Sequence, residues 1–257
     1  MAFSKINKAL FRSLVQSRNL DLLGVAIVLY VCISRDFLGT VYQSGEIQFG
    51  VPLSELFSTM KSGAFPLGVF STIGAIISLL GTRFVGKQDN LGNIFGVITS
   101  VTSGLIDFLF GNHSAVITYP ITFIIHNYAV KNWSDGVKIR KRDKYYYLIS
   151  FIGLALGFAL VYLGAYLFGG RTDHGFLILV SLIFGISLGA NFCNALKYEE
   201  TWLSWLIYNT IQLFKNLMQL NLANVAKYVF YLFNSFITLM DWRINGDFIK
   251  PKKAVKI

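Results

Sequence analysis

Residues 200–220 read ETWLSWLIYNTIQLFKNLMQL, a stretch apolar enough to cross a membrane that nevertheless carries Trp202, Trp205, Asn209 and Gln212 at spacings i, i+3, i+7 and i+10. At about 100° per residue these four, with Asn216, project from a helix within an arc of roughly 80°. Lipid offers side-chain amides no partners, so such a stripe at membrane depth faces protein, a ligand or a watery cavity. Indole faces stack on a heteroaromatic ring or attract a ring cation. Amides bond hydroxyls without committing to a charge. The stripe therefore suits a flat, polar, neutral or weakly cationic solute. The structural alternative is an interfacial aromatic belt whose amides join helix to helix.

Working outward, the whole chain has the same character. Of its 257 residues 54% are hydrophobic and 14% charged. Apolar stretches longer than about 17 residues, without the period-2 alternation of barrel strands, read as an all-α integral membrane protein. Eight spans are expected, at about 20–36, 64–82, 91–110, 114–131, 145–168, 175–196, 200–220 and 223–241. Net charge is +10, but its distribution follows topology rather than nucleic acid. Most Lys and Arg fall in alternate connections: Lys5, Lys8, Arg12 and Arg18; Arg83 and Lys87; Lys131, Lys138, Arg140, Lys141, Arg142 and Lys144; Lys197; and Arg243, Lys250, Lys252, Lys253 and Lys256. The positive-inside rule assigns that side, with both termini, to the cytoplasm. Residues 1–19 carry Phe3, Ile6, Leu10 and Leu14 among basic residues, the pattern of an amphipathic helix on the inner leaflet. Nothing after Ser34 resembles a cleavage site, so the first span reads as a retained anchor. Cys32 and Cys193 fall within spans and read as small core residues.

Sliding the chain against itself by 109 residues aligns spans two to four with spans six to eight. Ile77, Ser78 and Leu79 fall on Ile186, Ser187 and Leu188; Asn112 on Asn221; Val116 on Val225; Tyr119 on Tyr228; and Trp133 on Trp242. The turn Gly111–Ser114 falls on Leu220–Ala223. Two three-helix units in one orientation need an odd helix between them. The expected organisation is an extra N-terminal helix and loop (20–62), a first three-helix repeat (63–133), a basic loop and linker helix (134–171), a second repeat (172–242) and a basic tail (243–257). Parallel repeats of this kind characterise one class of transporter, with solute bound midway. The same offset carries the Trp/Asn stripe onto Asn93, Gly96, Ser100, Ser103 and Asp107. Small residues there either leave room for a solute or let helices approach closely.

The run from Glu200 through Trp202, Trp205 and Asn209, followed by Lys227, Tyr228, Tyr231, Asn234 and Trp242, resembles the nicotinamide riboside (vitamin B3) transporters of the PnuC family. So do Asn93–Gly96 and the stretch Ile106–Ile121. The resemblance covers about Gly63 to Trp242. It implies a bacterial inner-membrane protein with a 3+1+3 duplicated architecture similar to the SWEET sugar transporters, assembled as a homotrimer. It also implies facilitated diffusion of nicotinamide riboside, trapped by a cytoplasmic kinase. Relatives for thiamine or riboflavin remain alternatives, since one stripe does not separate flat, hydroxylated or cationic vitamins. Trp202, Trp205 and Asn209 match the family's binding motif directly. Gln212, Tyr231 and Asn234 follow from helical position, and Asn93, Ser100 and Asn127 from repeat symmetry. The first span departs from the shorter members.

Asp107, Lys215 and Lys227 lie toward the outer ends of their spans. A pairing of Asp107 with Lys215 or Lys227 would close the outer mouth; Lys reaching the headgroups is the alternative. No carboxylate sits at mid-depth, which favours uncoupled alternating access. Pro66 and Pro120 are candidate kinks, and His126, beside Asn127, either lines the pocket or packs. No phosphate-cradling glycine loop, metal-spaced His/Cys cluster or nucleophile–His–Asp pattern is present, so neither an enzyme, a cofactor nor a metal is expected.

Overall fold

The structure, a computed structural model, describes residues 2–136 and 138–248, with side chains from Lys8 onward. Lys250, Lys252, Lys253 and Lys256 lie outside the described residues, as do the side chains of Phe3, Lys5 and Ile6. Ten helices follow one another among the described residues: α1 (Ala2–Gln16), α2 (Arg18–Ser34), α3 (Leu53–Lys61), α4 (Leu67–Gly86), α5 (Leu91–Leu109), α6 (Ala115–Trp133), α7 (Lys144–Phe168), α8 (His174–Ala195), α9 (Thr201–Met218) and α10 (Leu222–Asn245). Every expected span coincides with a helix to within a few residues. By length and composition α4, α5, α7 and α8 are apolar enough to cross a membrane, and α1 with α2, bent by 54°, forms a fifth candidate. α6, α9 and α10 carry polar residues that dilute their hydropathy. The connection after α2 is not a plain loop: it forms a hairpin of β1 (Val41–Gln43) and β2 (Glu46–Gln48), then α3. Tyr42 pairs with Phe65 just before α4, so the hairpin covers the N-terminal end of that helix.

Helix starts follow from local chemistry. Ser17 accepts from the Leu20 amide, Asp143 from Tyr145 and Tyr146, Asp173 from Phe176, and Asn221 from Asn224. Each side chain satisfies donors that the first turn leaves free. Pro66 sits immediately before α4, where its missing N–H costs nothing, so it does not kink that helix; Pro120 lies inside α6. α7 lies against α8 through Gly153 and Gly157 facing Gly185 and Gly189, where a Cβ on Gly157 would strike the Gly185 backbone.

The 109-residue offset recurs in the backbone. Gln88 (φ 63°) and Lys197 (φ 66°) are left-handed at matching positions, and so are Gly111 (φ 90°) and Leu220 (φ 54°). Positive φ is uncommon outside glycine, so two matched pairs mark matching turns. Helix pairing matches as well: α4 packs on α10, and α6 on α8. The Trp133 indole donates to the Asn194 carbonyl at 2.9 Å, and the Trp242 indole to the Gly86 carbonyl at 2.9 Å. Each of the helix triads α4–α6 and α8–α10 is thus tied to the other by a tryptophan.

The N-terminal helices are tied to this core through one buried guanidinium. Arg83 of α4 donates to Asp21 (2.6 Å), to Asn234 of α10 (2.8 Å) and to the carbonyls of Leu14, Val15 and Ser17 at the α1–α2 corner. Lys87 also pairs with Asp21, and Arg12 of α1 with Asp241 of α10.

Candidate functional site

The triads α4–α6 and α8–α10 line a cavity of about 150 Å³. An apolar void of that size stays dry. This one has hydroxyls, amides and charges on its walls, which suits water or a polar solute.

Helix α9 supplies one wall. Trp205, Asn209 and Gln212 of α9 all line the cavity, as do Tyr231, Ser100, Asp107, Lys215 and Lys227. Trp205 is held edge-on by Trp202, with ring centres 4.8 Å apart and planes at 90°. The Asn209 amide donates to Ser235 at 3.0 Å, and Gln212 to the Tyr208 hydroxyl at 2.8 Å. Gln212 in turn accepts from Asn216. The Tyr231 and Ser78 hydroxyls meet at 2.8 Å. These links leave little rotamer freedom to the polar wall, which lowers the entropy cost of fitting a solute.

At the end remote from the basic connections, Lys215 of α9 donates to both Asp107 oxygens of α5, at 2.8 and 2.9 Å. Tyr119 adds a third bond at 2.9 Å. Asp107 and Lys215 occupy nearly equivalent places in the two triads, so the pair bridges them. Lys227 takes no part: its ammonium stands 4.4 Å from the Tyr228 ring centre and 5.7 Å from that of Tyr231. No carboxylate pairs with it among the described residues.

Four expected site residues stand elsewhere. Trp202 is fully buried behind Trp205, packed with Trp133, Trp242, Val85 and Leu239, so it supports the wall rather than forming it. Asn234 accepts from Arg83 through its oxygen, and Asn93 accepts from Asn194 while donating to Asn90; both side chains are turned to helix contacts outside the cavity lining. Asn127 is exposed and donates to the Phe123 carbonyl of its own helix. Repeat symmetry fails there because His126, one residue earlier, takes the inward position. The sequence reading also missed Ser187, Asn191 and Asn194 of α8, which line the cavity. Their i, i+4, i+7 spacing in an apolar helix was the same signal already read in α9. Tyr119 and Tyr228, a matched pair under the 109-residue offset that was not assigned to the site, line it too.

Residues 68–244, more than half of the chain, match the sequence family described as nicotinamide mononucleotide transporter. The chain belongs to that family. A solved structure titled as the crystal structure of the vitamin B3 transporter PnuC superposes with a TM-score of 0.61 at 15% identity, covering 88% of this chain and 91% of that one. At that identity the likeness carries the fold alone. No curated protein matches the sequence. As a member of the nicotinamide mononucleotide transporter family, the chain is a multi-pass membrane protein of a transporter family, and the resemblance read from Gly63 to Trp242 holds.

Proposed function

We propose that the protein takes up nicotinamide riboside by facilitated diffusion, with solute bound in the cavity between two parallel three-helix repeats of the SWEET kind. The observation that carries this reading is Trp205 beside Asn209 and Gln212 on the wall of a cavity lined by both polar and apolar side chains. The indole takes the nicotinamide ring and the amides take ribose hydroxyls. Asp107 supports an uncoupled mechanism, because its carboxylate is committed to Lys215 and Tyr119 rather than free for an ion or proton. The Asp107–Lys215 pair acts as the outer gate, and Lys227 borders it without closing it. The matched turns and crossed tryptophan bonds support the duplicated architecture. By family likeness the protein is a homotrimer in a bacterial inner membrane with both termini cytoplasmic, and a cytoplasmic kinase traps the solute.

A second reading rests on Lys227, whose unpaired ammonium favours a neutral or anionic occupant over a second cation. Riboflavin fits that demand, as does the mononucleotide of the family's description; thiamine does not. Calorimetric titration of purified protein with nicotinamide riboside, its mononucleotide, riboflavin and thiamine separates these readings. Saturable binding of nicotinamide riboside that vanishes in Trp205→Ala supports the first. Binding of only the mononucleotide or riboflavin, lost in Lys227→Met, replaces it with the second.

A further inference from the structure

Trp205 projects from α9, and the matching residue of α5 is Gly96. A Cβ on Gly96 would run into the imidazole of His126, which leans across from α6. The residue of α10 that matches His126 is Ser235, whose small hydroxyl receives the Asn209 amide. Ring and small residue have therefore exchanged helices between the halves: indole from the second helix of one triad, imidazole from the third helix of the other. Both side chains line the same cavity.

His126 is not behaving as a satisfied packing residue. Its Nδ1 is sealed from solvent with no hydrogen-bond partner, whereas Nε2 is not sealed and makes no hydrogen bond among the described residues. Buried polar groups are nearly always paired, and leaving one unpaired is costly. A solute does not reach the sealed Nδ1; Nε2 is the nitrogen left open to bond one. Gly96 is what lets the ring lie flat against α5 instead of filling the cavity.

We propose that His126 and Trp205 form a two-sided clamp, one ring from each half, for a flat heteroaromatic ring, and that the imidazole reads a polar substituent such as a carboxamide. This rests on the transport reading and deepens it: Trp205 offers an indole from the second half, and His126 supplies a ring from the first. A clamp divided between the halves also makes the fit of the solute depend on how the halves are disposed.

The test is titration of purified, folded protein with nicotinamide riboside and with the pyridinium riboside that lacks the carboxamide. His126→Ala is expected to raise Kd at least tenfold, and His126→Phe, which restores a ring, to recover part of that loss. Wild-type protein should prefer the carboxamide-bearing ligand, and His126→Phe should lose that preference, which a purely packing role would not alter. Gly96→Ala displaces the ring with every polar group intact and should weaken binding as well, which keeps the proposal testable if His126→Ala does not fold. Wild-type affinity and preference in His126→Phe would overturn it. If wild-type protein ignores nicotinamide riboside but binds riboflavin or thiamine, the substrate reading falls, and the clamp still requires the tenfold loss with that vitamin. If folded wild-type protein binds none of them, the clamp falls too.

Discussion

Two tryptophans three residues apart on α9 do different work. Trp205 borders the cavity, whereas Trp202 is fully buried in the Trp133–Trp242 cluster. Trp205→Ala is expected to abolish solute binding with little change in thermal unfolding. Trp202→Ala removes a fully buried indole, a change that costs about 3–5 kcal/mol, and should show first as a fall in Tm in detergent. Calorimetry and thermal scans on both variants check this, and equal effects on binding and stability would contradict it. The Asp107–Lys215 pair makes a separate prediction. Removing one partner strands a buried charge at a cost of about 3–5 kcal/mol, whereas replacing both is far milder. Asp107→Asn and Lys215→Met should each destabilise more than the double variant, measured by the same scans. Spacing alone placed both tryptophans on one face of α9; only the position of α10 decided which of them reached the cavity.

Helices α1 and α2 hang on Arg83, whose donors reach Asp21, Asn234 and three carbonyls of the α1–α2 corner. Arg83→Ala leaves those acceptors without their donor. The expected result is a lower Tm and faster protease cleavage between Lys8 and Ser17, with α4–α10 intact on a gel; cleavage at the wild-type rate would show that the corner is held by other contacts. The α7 start makes a pH prediction. Burial alone would raise the Asp143 carboxyl, but hydrogen bonds from the Tyr198 hydroxyl and from the Tyr146 and Tyr145 amides, with Arg140 nearby, hold it below its ordinary value. A lowered carboxyl contributes stability above the ordinary carboxylate range and loses it as pH falls through the folded value. Acid destabilisation should therefore be shallower in Asp143→Asn than in wild type. The sequence marks this element only as a basic loop before an apolar run. The Asp143–Tyr198 contact spans 55 residues, which no local pattern encodes.

At the scale of the whole molecule, two triads around a shared cavity predict exchange rather than leak. In proteoliposomes preloaded with nicotinamide riboside, labelled solute should accumulate transiently by counterflow without a proton or sodium gradient; equilibration without overshoot would indicate a pore. Helix positions and the cavity-facing stripe of α9 were legible in the sequence, because apolar length and the 3.6-residue period are local properties of the chain. The distinction between Trp202 and Trp205, the diversion of Asn93 and Asn234 into helix contacts, the outward turn of Asn127 and the entry of His126 were settled only when α6, α8 and α10 closed around α9. Periodicity tells which residues share a face. What that face meets depends on the neighbouring helices, and these come from distant parts of the chain.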